Sequence, residues 1–423
     1  MRFRLPVVLL FASVGALVAS SVGVSAGSVN PIVVDDSQIH ASTTAVGGAS
    51  PLNTTNTVQH WAGTAVDPHN GVTYGFNMVG VDPSTNSPAK IGVDIIPINL
   101  NVGGLSFNGS DRVAGILASP LFQNGDYTST AAASNSSEGK GPGGPLSAGN
   151  TGVQLEDATM RAQFNKIGTN YHLMFDTPVV HPAITVDVPA EHGVLLESRR
   201  QVIYGDVNIQ WWSTELQNLN NSLSYVEPTR LPLYVTSDVV NFIGKNPLNC
   251  CVIGFHGAGI VPGKTNGPGH GNGNQPVQTY AWASWMTAGF FNPANSWVLQ
   301  DINAFTHEVS EWADDPFVNN FVEPWTVGFQ PQYGCQSVLE TGDPVVGIGF
   351  SQGVNTTDQG PAPNGQTYTD GTYHPEDEVF LPWFMRTHPN TISQVNQSGT
   401  DGRFTLMGDL NLFGFNTGAP SCV

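Results

Sequence analysis

Short apolar runs broken by Gly, Pro, Asn and Asp make up most of this chain. Runs rich in β-branched and aromatic residues predict strands at VTYGFNMVGV and AKIGVDIIPINLNV, and the turn-rich DPSTNSP between them predicts a hairpin. YHLMF, AITVDV, LPLYVTSDVV, CCVIGFHGAG and VQTYAWASWM read as further strands, the last two separated by the glycine-rich GKTNGPGHGNGN. A period near 3.6 residues predicts short helices at DRVAGILASPLF and at VQLEDATMRAQFNKI, where Leu155, Met160, Phe164 and Ile167 recur at helical intervals. Another helix, VNIQWWSTELQNLNNSL, is predicted with Asp206 as its cap. The stretch from Gln123 to Gly152 is rich in Asn, Ser and Gly and predicts a long surface loop or lid.

The most informative segment is WVLQDINAFTHEVSEWADD. As a helix it places Leu299, Ile302, Phe305, Val309 and Trp312 on one face and Gln300, Asn303, His307, Glu311 and Asp314 on another. Asp-Asp-Pro ends it. Several strands, the last leading directly into this helix, follow the order of a zincin metallopeptidase core. No internal repeat is present, so the fold predicted is one α+β domain, a mixed sheet followed by an active-site helix with long polar loops.

The ends read differently. Arg2 and Arg4, the run LPVVLLFASVGALVASSVGV and the small residues to Ala26 predict a signal peptide over 1–26. Residues 27–57 read as a flexible leader. The domain then covers 58–423, with an N-terminal part at 58–225 and a metal-site part at 226–423. No later apolar stretch is long enough for a membrane span, so the expected product is secreted, with no membrane partner.

Charge narrows the partners. With 14 Lys+Arg against 33 Asp+Glu the net charge is −19, a balance that repels nucleic acid. Four cysteines in an exported chain predict disulfides. Cys250 and Cys251, as neighbours on a strand, would point to opposite faces and so pair separately with Cys335 and Cys422.

Candidate chemistry sits on the helix. Residues four apart on a helix stack on successive turns, so His307 and Glu311 aim at one spot, and imidazole and carboxylate both bind zinc at about 2.0–2.2 Å. Glu308 lies at the edge of that spot, where an acid can take a proton from metal-bound water. An ordinary charged helix gives the same five-residue pattern. The following CQSVLETGDPVVG returns the chain with Glu340 and Asp343, either of which can supply a third ligand, although a turn-capping role explains Asp343 equally well. His256 and His374 are possible additional ligands or hydrogen-bonding residues.

Taken together, His256 in GFHGA, THEVSEWADDPF, LETGDP and the segment TYHPEDEVFLPWF resemble the EXORDIUM-like (phosphate-induced protein) family and related secreted bacterial proteins. Those proteins carry H-E-x-x-E-x-x-x-[DN]-P followed by E-x-x-D and are similar to zinc metallopeptidases around this helix. The resemblance spans roughly Leu231 to Trp383. It implies His307 and Glu311 as ligands, Glu308 as base, and Asp343 with Glu340 in the site. The metzincin pattern is excluded, because its third ligand would fall on Phe317.

Two functions follow. One is a secreted Zn2+-dependent hydrolase, a peptidase acting on a protein, peptide or cell-wall substrate. The other is a non-catalytic extracellular binding or cell-wall protein whose zincin-like shell is empty or holds Ca2+, since carboxylate-rich sites suit hard cations.

Overall fold

The strand Val93–Val102 runs through the middle of a seven-stranded mixed sheet. Leu231–Ser237 lies parallel to it and parallel in turn to Val277–Trp285, whose far side pairs antiparallel with Gly254–Ile260. On its other side Val179–Val180 and Ile184–Asp187 pair parallel, while Leu105–Asn108 pairs antiparallel with Asn99–Val102 on the side of Leu231–Ser237. This computed structural model describes residues 31–33, 56–127, 150–261, 276–291, 298–327, 334–357, 361–387, 404–406 and 418–422. The predicted signal peptide, residues 27–30 and 34–55 of the leader, and 128–149 of the predicted loop lie outside them.

Both faces of the sheet are covered, which explains the nearly continuous apolar runs in its strands. Consecutive residues alternate between two cores: Ile95, Leu233 and Ala281 face one, while Ile96, Tyr234 and Trp282 face the other. The helix Ile209–Ser222 closes the second face with Trp212 and Leu216. The first face takes the helix Asn303–Asp314 through Phe305, Val309 and Trp312. The architecture is therefore mixed α and β with several sheets. Tyr280, Trp282 and Trp285 of the aromatic run YAWASW, and Trp383 and Phe384, are core residues.

Several local expectations need correction. Thr73–Val79 forms its hairpin with His60–Val66, not with the following run, because Pro88–Ile91 pairs instead with His172–Phe175. LPLYVTSDVV is two strands: Asp238, at φ +50°, turns the chain so that Val239–Phe242 joins a four-stranded sheet with Ile203–Asn208, Gly193–Glu197 and Ile32–Val33. Ile32–Val33 thus docks part of the predicted leader along Leu196 and Glu197. The cap of the helix at Ile209 is Asn208, whose side chain accepts from the Trp211 amide; Asp206 sits inside the preceding strand.

The cysteine pairing also differs. Cys250 bonds to Cys251 across a cis peptide, and Cys335 bonds to Cys422. Alternation of faces does not operate at 250 and 251, because the strand begins only at Gly254. Cys335–Cys422 links the C-terminal segment to the body, beside a bridge between Trp325 and Ser421. Among the described residues no helix is long and apolar enough to cross a membrane, and the bonded cysteines are consistent with an extracellular protein.

Asp206 generates a stability prediction. Its carboxyl is buried, neither oxygen has a hydrogen bond, and burial raises its pKa well above the ordinary carboxylate range. A proton bound more tightly in the folded state means that stability falls as pH rises from about 4, the unfolded value, to the folded pKa. Asp206→Asn should therefore be more stable than wild type in urea denaturation at pH 8, with the gap closing near pH 4. A gap that does not change with pH would contradict this.

Candidate metal centre

The site helix begins later than its pattern suggests. Asp301, at φ +42°, forms a bridge with Met286, and the regular turn starts at Asn303. The Asp301 carboxylate accepts from the Ile302 amide, and from the backbone and Nδ1 of His374 at 3.0 and 2.7 Å. At the other end Asp315 accepts from the amides of Asn319 and Asn320, fixing the turn after the helix. All twelve helix residues are buried, so the polar face meets protein rather than solvent.

His307 and Glu311 converge on successive turns, with Nε2 of His307 3.1 Å from Oε1 of Glu311. The chain returns through the paired strands Phe321–Trp325 and Gln336–Val338 and delivers Asp343, whose Oδ1 is 3.9 Å from His307 Nε2. One donor atom from each of His307, Glu311 and Asp343 fits within 4.8 Å of the others. The Gly342 and Asp343 amides also donate to Oε1 of Glu311, at 3.1 and 3.3 Å. A glycine is needed at 342, since a Cβ there would lie 2.3 Å from Nδ1 of His307.

The remaining predicted residues divide into two groups. Glu308 is fully buried, and both its oxygens lack hydrogen bonds. His256, on the antiparallel edge strand, has Nδ1 3.5 Å from Oε2 of Glu308 and 3.5 Å from Oε2 of Glu311. Glu340 is buried beside Glu311 and Asp343 but belongs to none of the groups of converging donors. His374 is not at the cluster either: its Nδ1 is held by Asp301, so it fastens the returning 374–378 segment to the start of the helix.

That segment supplies two residues the sequence reading missed. Glu376 Oε2 accepts from Nδ1 of His307, while its Oε1 accepts from the Gly347 amide. Such a partner fixes the imidazole and leaves Nε2 turned to Glu311 and Asp343. Glu378 is buried nearby, and a third group of converging donors is His307, Glu376 and Glu378. The signal available was the acid density of His-Pro-Glu-Asp-Glu directly after a tyrosine.

Proton affinities follow from this crowding. Burial pushes Glu308 up to about 7, and Glu376 likewise to about 7. Burial raises Glu340 well above the ordinary range, helped by the charges of Glu311 and Asp343. Glu311 goes the other way, because His307 and His256 outweigh its burial and hold it well below the usual carboxylate value. Burial disfavours the imidazolium of His256, but Glu308 and Glu311 overcome it and lift the group to about 10. The chemistry on offer is cation binding by mixed imidazole and carboxylate donors, with an unbonded glutamate alongside. No family model, curated protein or solved structure matches the chain.

Gly342 provides a direct test of this packing. Gly342→Ala should displace His307 and cost about 1–3 kcal/mol of stability. It should also weaken divalent-metal binding, measured by competition with a chromophoric chelator, by about tenfold. Unchanged stability and affinity would show that the close approach does not constrain the ring.

Proposed function

We propose that this is an extracellular metal-dependent hydrolase in which His307, Glu311 and Asp343 hold a divalent cation, Zn2+ in the first instance. The observation that carries the reading is the placement of Glu308: a buried carboxyl next to the ligand set, with both oxygens unbonded and a pKa of about 7. A group with that affinity can take a proton from water near neutral pH and return it to a leaving amine. The bound ion supplies Lewis acidity toward a carbonyl oxygen and acidifies water. Glu376 orients His307, and the Gly342 and Asp343 amides orient Glu311. The helix lying on a mixed sheet, and the resemblance of THEVSEWADDPF and LETGDP to secreted zincin-like proteins, support a peptide or cell-wall amide as substrate.

A second reading rests on burial. His256, His307, Glu308, Glu311, Glu340, Asp343 and Glu376 are each at most 4% exposed, as in a closed structural site, whereas a catalytic site keeps one position open to water. On that reading the ion, Ca2+ included, stabilises a binding or cell-wall protein.

Two substitutions on one helix separate the roles. Glu311→Ala should lose bound metal. Glu308→Gln should keep the fold and the ion at His307, yet lose at least about 10²-fold in hydrolysis of unspecific peptide substrates. A metal-loaded wild type with no turnover, or a Glu308→Gln variant as active as wild type, would favour the structural reading.

A further inference from the structure

The donors around Glu311 fall on both sides of its carboxylate. Oε1 faces His307 and Asp343 and already accepts two amides; Oε2 faces His256 and has no hydrogen bond. On that second side five buried polar atoms are unbonded: both nitrogens of His256, both oxygens of Glu308 and Oε2 of Glu311. Leaving such atoms unsatisfied is costly, more so for charged groups, so a cluster of them calls for a partner.

The spacing identifies the partner's chemistry. His256 Nδ1 is 3.5 Å from both carboxylate oxygens, long for a hydrogen bond between an imidazole and a carboxylate. In a tetrahedral site with bonds of about 2.0–2.2 Å, neighbouring donor atoms are about 3.3–3.6 Å apart. One donor atom from each of His256, Glu308 and Glu311 lies within 4.8 Å of the others. Gly254 clears the space: a Cβ at that position would come within 2.6 Å of the Glu308 side chain.

We propose that His256, Glu308 and Oε2 of Glu311 bind a second divalent cation, with the Glu311 carboxylate bridging it to the ion held by His307 and Asp343. The inference rests on the metal-binding reading above and extends it from one ion to two. Carboxylate balance points the same way. Glu308 and Glu311 ion-pair only with His256 and His307 among the described residues, and Glu340 adds a further buried acid beside Glu311. One dication offsets two of these acids, and a second offsets two more.

The test is metal stoichiometry of the full chain after dialysis against Zn2+ or Mn2+, with the Mn2+ form examined by electron paramagnetic resonance. Two ions per chain and an exchange-coupled Mn2+ spectrum are expected in wild type. His256→Ala should retain one ion and lose the coupling, and Glu311→Ala should lose both ions. One ion in wild type, or two in His256→Ala, overturns the second site while leaving the first in place; no ion at all overturns the metal reading itself. Should His256→Ala not fold, wild-type stoichiometry and the coupled spectrum decide alone.

Discussion

Packing of the Asn303–Asp314 helix with its acidic face turned inward is the constraint on which the rest of the structure depends. A buried carboxylate costs several kcal/mol unless it is paired, and an unpaired one neutralises instead. Here Glu308, Glu311 and Glu376 have only His256 and His307 as ion-pair partners among the described residues. Without a cation the cluster is compensated by protons, and both histidines accordingly bind theirs far more tightly than a free imidazole. A divalent ion bound as proposed would displace those protons and supply positive charge at the donor atoms, which would tie metal affinity to pH.

The surrounding fold fits that demand. Ala281 and Ala283 face the helix from the neighbouring strand, and Gly254 and Gly342 remove side chains where Glu308 and His307 come closest. Asp301 and His374 fasten the start of the helix to the segment that carries Glu376. Cys335–Cys422 anchors the segment that leads to Asp343. Glu308 separates the two functional readings, because hydrolysis needs it as a base whereas a structural ion needs it at most as a ligand. The burial of the whole cluster pulls the other way, toward a closed site. Turnover, not binding, distinguishes them.

What could be read in the sequence was local and periodic. The i, i+4 spacing placed His307 and Glu311 together because helical geometry alone fixes it, and the Asp-Asp-Pro stop with a turn-rich return delivered Asp343. Strand positions were legible from apolar runs, but pairing was not, since it depends on contacts distant in sequence. The run at Thr73 therefore found His60–Val66 as its partner instead of the adjacent strand. Cys250–Cys251 escaped because the strand starts four residues later than the run CCVIGF suggests. Glu376 escaped for a similar reason: its carboxylate reaches His307 only because the chain folds back across 69 residues. His374, conspicuous as a histidine, has instead the positioning task at Asp301.

The most direct measurement of the central claim is thermal unfolding of the purified chain before and after exhaustive chelation, with Zn2+ or Ca2+ then added back. A cation that completes the buried cluster stabilises the folded state by about 4 kcal/mol at a thousandfold excess over its dissociation constant. The melting temperature should fall on chelation and be restored by the metal, with proton release on rebinding. A melting temperature unchanged by chelation and by added metal, in a fully folded protein, would contradict it.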